Sequence, residues 1–251
     1  MFPHGAFLMC SIESLPAHAA AVKNIMRTLT HTLRLSVVIP TLNAAGTLGA
    51  TLASLGSPSD VVVADGGSVD GTVAIAETFG ARIVNARRGR GSQLASGVIS
   101  AKHEWLLLLH ADTRLGEGWQ AVTEAHMAAA PGRAGYFRLG LDSADWRARR
   151  LERLVAWRCR VLGLPYGDQG LLIHRNLLEA VGGIKPLPLM EDVDIVRRLG
   201  RRRLTGLDAT ATTSTEKWDR DGWVRRSARN LACLLLWFLG APPRMIARLY
   251  G

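Results

Sequence analysis

The run of four leucines at residues 106–109 constrains the fold of this chain more than any other feature. In a strand with one face in water, polar residues alternate with apolar ones, and this run contains no polar residue. It therefore predicts a strand buried on both faces, as in a parallel sheet covered by helices. His110, Asp112 and Thr113 come next, so an imidazole and a carboxylate are expected where the strand leaves the sheet.

Asp112 at this strand end has two interpretations. In open parallel sheets, ligands bind in the crevice beyond the carboxyl ends of the strands. A carboxylate there can hold Mg²⁺ or Mn²⁺, and the cation can hold a diphosphate, because these cations prefer hard oxygen ligands. The alternative is a strand end closed by an Asp turn with no ligand. This stretch alone leaves both interpretations open.

Strand and helix patterns alternate along the chain before the leucine run. Short segments rich in β-branched residues alternate with segments in which apolar residues recur at helical spacing. This alternation predicts an α/β fold with a right-handed parallel sheet. Strands are expected at residues 35–39, 60–64 and 82–85, and helices at residues 47–55, 72–79 and 93–100.

Two loops between these segments have ligand-binding character. Asp65 follows the second strand and precedes two glycines; it offers acceptors to a base or ribose, and the glycines allow close approach of the backbone. Residues 87–93 form a basic, glycine-interrupted loop that leads into a helix. Such a loop can hold an anion through backbone N–H groups, the helix dipole and a guanidinium, although a solvated arginine run is an equally good interpretation.

The segment at residues 144–162 predicts an amphipathic helix. Its apolar residues are expected to point inward and its arginines to stay on the polar side. A basic amphipathic helix can also lie on anionic lipid, but a helix that packs on the core and has a solvated face is the favoured interpretation. The residues expected to point inward are Leu151, Leu154, Val155, Val161 and Leu162.

Acidic residues cluster in two later stretches. Residues 164–170 are polar and turn-prone and precede a strand at residues 171–173, which is typical of a ligand-facing loop. Glu191, Asp192 and Asp194 stand at the start of a predicted helix. The helix dipole stabilises carboxylates there without any catalytic role. One of them, aimed into a cleft, would also serve as a general base.

The C-terminal part of the sequence predicts a loop followed by a helix. Residues 217–221 predict a mobile loop that could close over a diphosphate. The helical segment at residues 222–239 becomes apolar on all sides after residue 231. It is too short to span a bilayer, so it is either buried or docks in a membrane interface beside Arg244 and Arg248.

The charge balance is strongly basic. The chain has 251 residues, 31 Lys and Arg against 21 Asp and Glu, and a net charge of +10. A basic surface attracts nucleotides, nucleic acid or anionic lipid. No aromatic-interleaved basic strand or recognition helix is present, so a nucleic-acid partner is not expected. The three cysteines are far apart, and we see no secretory signal, so a cytoplasmic location is expected, with possible association at the inner face of the membrane.

Four motifs in this order resemble family 2 glycosyltransferases of the GT-A fold. They are SVVIPTLN at residues 36–43, ADGGSVDGT at 64–72, HADT at 110–113 and MEDVDIVRRL at 190–199. The HADT and PYGDQ versions resemble a short bacterial subgroup. The resemblance implies a single nucleotide-diphospho-sugar-binding domain, with a mostly parallel central sheet flanked by helices and C-terminal helices added. We therefore expect an N-terminal extension at residues 1–33 that could be disordered, a GT-A domain at 34–215 and a helical segment at 216–251.

The resemblance further implies an inverting, metal-dependent transfer of a hexose from a nucleotide-diphosphate sugar to an acceptor hydroxyl. Asp192 would remove the proton from that hydroxyl, and Glu191 and Asp168 would position the acceptor. The acceptor is not identified by sequence and could be lipid-linked. The remaining substrate-binding residues, for nucleoside, phosphates and adjoining groups, are Pro40, Thr41, Asn43, Asp65, Arg90, Gln93, Gln169, Trp218 and Arg220.

Two departures from the family pattern bear on the metal. The metal motif of the family begins with Asp, and His110 takes that place here, so Asp112 and His110 are the expected ligands of Mn²⁺ or Mg²⁺. Ala64 stands where the family has a second acidic residue before Asp65.

Two other functions stay open: an inactive nucleotide-binding protein that associates with membranes, and a sugar nucleotidyltransferase. The latter would need a basic glycine-rich loop after the first strand, and residues 41–46 have one glycine and no basic residue.

Overall fold

Eight strands form one sheet, and helices cover it on both sides. The computed structural model describes residues 33–250, so the predicted extension at residues 1–33 lies, except for its last residue, outside the described part. The strands are β1 (Leu35–Thr41), β2 (Asp60–Asp65), β3 (Arg82–Asn85), β4 (Trp105–Leu108), β5 (Thr113–Leu115), β6 (Ala134–Leu141), β7 (Leu171–His174) and β8 (Leu204–Thr213). The helices are α1 (Ala45–Leu55), α2 (Thr72–Thr78), α3 (Arg90–Ser100), α4 (Trp119–Ala129), α5 (Trp146–Leu162), α6 (Arg175–Ala180), α7 (Glu191–Leu199), α8 (Glu216–Asp221), α9 (Trp223–Phe238) and α10 (Pro243–Tyr250).

The strand order across the sheet is β3-β2-β1-β4-β7-β6-β8-β5. The pairs β1/β2, β1/β4, β2/β3 and β6/β8 are parallel. The pairs β4/β7, β6/β7 and β5/β8 are antiparallel. The predicted α/β fold with a mostly parallel sheet is confirmed. The first four strands in sequence form its purely parallel half, which places their carboxyl ends at one edge.

The leucine run is buried on both faces, as predicted. Leu107 and Leu109 belong to one apolar core, together with residues of α1. Leu106 and Leu108 belong to a second core on the other face, together with residues of α3 and α7. Each of the four side chains is at most 6% exposed. At about 25 cal/mol per Å² of apolar surface, burial of such side chains contributes roughly 1.5–3 kcal/mol each.

Strand β1 extends two residues further than predicted, through Pro40 to Thr41. Its pairing with β4 ends at Val38, opposite Leu108, while its pairing with β2 continues to Thr41. The Val38 carbonyl accepts a hydrogen bond from Leu109 N, and Pro40 faces the same side two residues later. The ladder on that side has ended there, so the missing N–H of proline costs no strand hydrogen bond.

The predicted mobile loop at residues 217–221 is wrong, because these residues are helical in α8. Thr215 precedes the helix, and its carbonyl accepts hydrogen bonds from Trp218 N and Asp219 N. The Thr215 hydroxyl also donates to Asp219 Oδ2 at 2.8 Å. Gly222, with φ of 83°, ends the helix in a conformation that favours glycine. Side chains on α8 are therefore fixed in direction.

The predicted inward face of α5 is only partly correct. Val155 is buried as expected, but Leu154, Val161 and Leu162 are 59%, 45% and 52% exposed. The buried stripe is narrow and contains Ala148, Val155 and Cys159, at helical spacing. Leu154 and Val161 fall on the opposite side of the helix, because each residue advances about 100° around the axis.

The C-terminal helices pack beside the start of α7. Cys233 of α9 and Ile246 of α10 share an apolar cluster with Leu189, Met190 and Val193. Segment 222–239 is not buried on all sides, because several of its leucines are exposed. Among residues 33–250, none of the helices has the length and apolar content to cross a membrane.

Candidate active site

A cleft of about 680 Å³ opens at the carboxyl ends of β1 and β4. The ends of these strands, the start of α3 and the segment from β8 into α8 form its walls. Sequence-predicted residues in the lining are Pro40, Thr41, Asn43, Arg90, Gln93, His110 and Asp112. The structure thus brings residues from the first and third sequence motifs together with the basic loop.

Asn43 shapes the loop that follows β1. Its backbone has φ of 51°, a left-handed conformation that Asn tolerates better than most residues. Its side-chain oxygen accepts a hydrogen bond from Val69 N at 2.9 Å, and its own N–H donates to Ser68 Oγ at 2.8 Å. The loop after β1 is therefore joined to the loop after β2, and both keep a fixed shape at the cleft.

Asp65 lies behind this loop and does not line the cleft. The residue is 3% exposed. Its carboxylate accepts hydrogen bonds from Thr41 Oγ1, Ser68 Oγ and the N–H groups of Gly67 and Ser68. Burial alone would raise the pKa of Asp65, but these hydrogen bonds outweigh it and lower that pKa below its ordinary value. All lone pairs of the carboxylate are used to hold the two loops.

Arg90 joins the two sides of the cleft. Its Nε lies 3.3 Å from Glu191 Oε1, and its Nη1 lies 3.3 Å from His110 Nε2. Burial by itself lowers the pKa of Arg90, but the carboxylates of Glu191 and Asp192 raise it above its ordinary value. Arg90 is therefore a permanent cation at the start of α3, where the helix dipole also favours an anion.

Gln93, one turn further along α3, has a structural role in this arrangement. Its Nε2 donates to the carbonyl of Thr41 at 2.5 Å and to the carbonyl of Ala64 at 3.1 Å. The side chain is almost fully buried. It thereby holds the carboxyl ends of β1 and β2 at a fixed separation.

His110 is uncharged at neutral pH. Burial and the neighbouring Arg90 cation lower the pKa of His110 to about 4, and the carboxylates of Asp112 and Asp192 oppose this only in part. A guanidinium can only donate, so Nε2 of His110 accepts from Arg90 and the ring proton is assigned to Nδ1. The ring can offer Nε2 to another group only when Arg90 moves away.

Asp112 faces the cleft beside a residue that the motifs did not identify. Its Oδ2 lies 3.8 Å from Lys217 Nζ, and its Oδ1 lies 3.4 Å from Thr213 Oγ1. Within residues 33–250, no three His, Cys, Asp or Glu side chains cluster closely enough to hold a metal by themselves. Asp112 nevertheless fits Mn²⁺ or Mg²⁺, since such ions take one or two carboxylates and complete their shell with phosphate oxygens.

Asp192 stands next to the ring of His110. Its Oδ2 accepts from Gly167 N at 2.8 Å, and its Oδ1 accepts from Val193 N at 2.8 Å. A Cβ at Gly167 would lie 2.3 Å from His110 Nε2 and 3.1 Å from Asp192 Oδ2. Both side chains therefore approach the same point. A small cavity of about 20 Å³ is lined by His110, Glu191 and Asp192, and His110 also lines the large cleft.

Glu191, which is buried, and Asp168, which is half-buried, are carboxyl groups beside this point. Burial raises the pKa of Glu191 to about 7, although Arg90 opposes the rise. Burial also raises the pKa of Asp168 to about 6, against the effect of Arg158. Within the described residues, neither Glu191 oxygen nor Asp168 Oδ1 has a hydrogen-bond partner. Such poised acids are common where protons move.

Gln169, Trp218 and Arg220 do not line the cleft. Gln169 is 2% exposed, donates to the carbonyl of Phe137 at 3.0 Å and accepts from Tyr166 N at 3.3 Å. Trp218 packs against Trp223, with ring centres 6.1 Å apart. Arg220 points to solvent and binds Asp221 at 2.9 Å. Among the cleft residues, sequence reasoning missed Ser214 and Tyr250, and it included Lys217 only as part of the segment 217–221 expected over a diphosphate.

Part of the chain is similar to a known protein family. Residues 36–147 match the glycosyl transferase family 2 model. PGL/p-HBAD biosynthesis glycosyltransferases of Mycobacterium bovis and Mycobacterium tuberculosis are 38% identical over 105 residues, which is 38% of this chain and 40% of theirs. The match thus spans about two fifths of the length of these relatives.

Solved structures show the same fold at low identity. S. aureus TarS in complex with UDP-GlcNAc has a TM-score of 0.56 and 17% identity, over 71% of this chain and 58% of that one. Glucosyl-3-phosphoglycerate synthase from M. tuberculosis, in complex with Mn²⁺, UDP and glucosyl-3-phosphoglycerate, has a TM-score of 0.53 and 20% identity, over 83% and 80%. The predicted resemblance to family 2 glycosyltransferases and their fold is confirmed.

Proposed function

Since residues 36–147 match the glycosyl transferase family 2 model, we propose that this chain transfers a sugar from a nucleotide-diphosphate sugar to an acceptor hydroxyl, with inversion at the anomeric carbon. One observation carries the proposal. At the carboxyl ends of β1 and β4, Arg90 and Lys217 supply cations to a cleft that His110 also lines, and His110 shares a small neighbouring cavity with Asp192. Cations for a leaving diphosphate and a base for an incoming alcohol are the two groups that this reaction needs.

The donor occupies the large cleft in this proposal. Thr41, at the end of β1, and Asn43, on the loop after it, face the nucleoside. The diphosphate lies against Arg90 at the start of α3 and against Lys217 on α8. The neighbouring fold was solved with UDP-GlcNAc in TarS and with UDP in glucosyl-3-phosphoglycerate synthase, and we extend only the class of ligand, a nucleotide-diphosphate sugar, to this chain.

The proposal includes a divalent metal ion, for which Asp112 would be a ligand. When bound, Mn²⁺ or Mg²⁺ would neutralise charge that develops on the diphosphate. Asp112 offers it a carboxylate, and His110 offers a ring nitrogen once Arg90 has turned to the phosphates. Lys217 lies 3.8 Å from the same carboxylate. It contributes a positive charge from the protein itself to the same anion.

The chemical step is a single displacement. The acceptor oxygen attacks the anomeric carbon, the bond from that carbon to the diphosphate oxygen breaks, and the proton of the hydroxyl passes to Asp192. The nucleoside diphosphate leaves with both electrons of the broken bond. Asp192 suits the role of base because Gly167 N and Val193 N hold its carboxylate in place. No covalent nucleophile is required.

Several predicted contacts change their role in this proposal. Asp65, Gln93 and Gln169 act as positioning residues, because their polar groups are used within the protein. Of the segment 217–221 expected over the diphosphate, Lys217 makes the contact, and Trp218 and Arg220 do not. Glu191 and Asp168 remain the residues that position the acceptor. The transfer domain at residues 34–215 would then be completed by Lys217 and by Tyr250, which lie beyond it.

An inactive nucleotide-binding protein is the second candidate, and His110 in the metal motif is the observation that favours it. The test is a transfer assay with purified protein, a panel of nucleotide-diphosphate sugars and acceptors, and Mn²⁺. We expect Asp192→Asn to lower transfer by about 10²–10⁴-fold while nucleoside diphosphate affinity stays the same. Binding by calorimetry with no transfer from any donor would favour the inactive protein. Transfer that survives Asp192→Asn would remove Asp192 as the base.

A further inference from the structure

Helix α5 exposes an apolar stripe that the proposed reaction does not use. Trp146, Leu154, Trp157 and Val161 are 62%, 59%, 50% and 45% exposed. Their spacing along the helix places them on one side, opposite the buried stripe of α5, since each residue advances about 100°. Large exposed aromatic and aliphatic side chains in one contiguous stripe mark an interaction surface.

Arginines border this stripe on both edges. Helix α5 contains six arginines and one acidic residue, Glu152. Glu152 is engaged by Leu141 N at 2.7 Å and by Arg149 at 2.9 Å. Arg150 lies within the stripe, with its guanidinium 5.3 Å from the ring centre of Trp146. Arg147 is paired with Asp145 at 2.8 Å, and the exposed Arg150, Arg153 and Arg160 leave the stripe with net positive charge.

A second exposed apolar stripe runs along α9. Val224, Leu231, Leu235 and Leu239, at its end, are 81%, 57%, 54% and 82% exposed and share one side of the helix. Exposed arginines accompany this part of the chain as well, at Arg225, Arg244 and Arg248.

The helices that carry the two stripes are neighbours. At the start of the two helices, the Arg147 guanidinium lies 5.9 Å from the ring centre of Trp223. Just after α5, Tyr166 packs in the same apolar cluster as Cys233 of α9. Contacts near both ends of α5 thus place α9 beside it. We call the exposed sides of α5 and α9 together the outer face.

We propose that the outer face is a docking surface for a membrane that contains anionic phospholipid. Tryptophan and leucine enter the interface between headgroups and acyl chains, and arginines at the edges reach lipid phosphates. The charge decides between occupants. A second copy of this chain would bring arginines against arginines, whereas an anionic headgroup complements them. The proposal is independent of the sugar-transfer reaction.

Vesicle flotation of the full chain tests this proposal. We expect it to float with vesicles of phosphatidylcholine and phosphatidylglycerol, to stay unbound with phosphatidylcholine alone, and to dissociate as salt is raised. Trp157→Ser should remove most of the bound fraction. Arg150→Gln should weaken the apparent affinity about fivefold, as expected for one basic residue near an anionic surface.

Matched control variants distinguish binding through the outer face from non-specific binding to vesicles. Ile99→Ser removes an apolar side chain that is 81% exposed on α3, and Arg138→Gln removes an arginine that is 66% exposed on β6. Neither change should alter flotation. Equal binding of Trp157→Ser and the parent, or equal binding to neutral vesicles, would overturn the proposal. So would a lipid-free dimer in light scattering that Trp157→Ser converts to monomer, because the outer face would then bind a second copy.

Discussion

Arg90 contacts Glu191 and His110 at once, and these contacts determine the charge of the surrounding groups. Burial together with this guanidinium keeps His110 neutral, and the guanidinium opposes the effect of burial on Glu191. The sequence indicated that Arg90 was basic and that it preceded a helix. It could not indicate that the side chain would lie between a histidine twenty residues later and a glutamate in the last motif, because that contact depends on how α3 and α7 pack.

Replacement of Lys217 should weaken binding of the leaving diphosphate. We expect Lys217→Met to lower nucleoside diphosphate affinity about tenfold in calorimetry, as for the loss of one charge-assisted contact. Arg220→Met is the matched control, because Arg220 is 65% exposed and paired with Asp221. If Arg220→Met lowered nucleoside diphosphate affinity and Lys217→Met did not, the diphosphate would contact Arg220 instead of Lys217.

Glu191 should make the stability of the protein depend on pH. Its folded-state pKa of about 7 lies above the ordinary value of 4.5, so the folded protein holds a proton that the unfolded chain releases. The stabilisation is complete below the unfolded-state pKa and is lost as the pH rises through 7. In urea unfolding between about pH 5 and about pH 8, Glu191→Gln should remove on the order of 2 kcal/mol of this dependence.

A control for the Glu191 experiment is Glu117→Gln, which changes an exposed residue on the turn before α4. Its stability should follow the same pH dependence as that of the parent protein. If Glu191→Gln also follows the parent at every pH, Glu191 is ionised throughout the range and its burial has no effect on its charge.

The short 3₁₀ turn at Gly167–Gln169 sets the spacing between β4 and α7. Gly167 has no room for a side chain, since a Cβ there would lie 2.3 Å from His110 Nε2. We expect Gly167→Ala to displace His110 and Asp192, to cost about 1–3 kcal/mol of stability by overpacking, and to remove transfer activity. Gly132→Ala, where a Cβ meets nothing within 4 Å, is the control. Unchanged activity in Gly167→Ala would show that the two side chains need not stand so close.

Elements with strong periodicity were predictable from the sequence, and short ones were not. The leucine run identified β4, and β-branched residues identified β1 to β3 within two residues. Strand β5 has three residues, too few to show a period. Helix α8 looked like a loop because its six residues are all charged or aromatic. Its helical form depends on Thr215 and Gly222 at its ends, which act through backbone geometry rather than through hydrophobic pattern.

At the scale of the whole molecule, the cleft is assembled from segments that lie far apart in the chain. The end of β8 reaches the end of β4 through a hydrogen bond from Ser214 N to the carbonyl of Asp112 at 3.2 Å. That contact brings α8, and with it Lys217, to the metal motif. The first and third motifs predicted the β1 and β4 walls, and the basic loop at residues 87–93 predicted the α3 wall. They could not predict the α8 wall, because it depends on the pairing of β8 with β5 and β6.

Because several segments meet at the cleft, ligand binding should stabilise the fold as a whole. A nucleoside diphosphate with Mn²⁺ should raise Tm by roughly 5–10 °C at about 100 times its Kd. We expect Asp112→Ala to lose the part of the rise that requires Mn²⁺ and to keep the part that the nucleotide gives alone. Differential scanning fluorimetry, with and without Mn²⁺, measures both parts. An Mn²⁺-dependent rise that is as large in Asp112→Ala as in the parent would exclude Asp112 as its ligand.

The amide of Gln93, which bonds the carbonyls of Thr41 and Ala64, has a consequence for affinity. The nucleotide would meet walls whose shape is already set, so little conformational entropy would be lost when it arrives. A preorganised cleft would allow fast binding of the donor. Conformational change would then be confined to binding of the acceptor. Glu191 and Asp168, whose carboxyl groups include buried oxygens without a hydrogen bond in the described residues, would lie on the acceptor side.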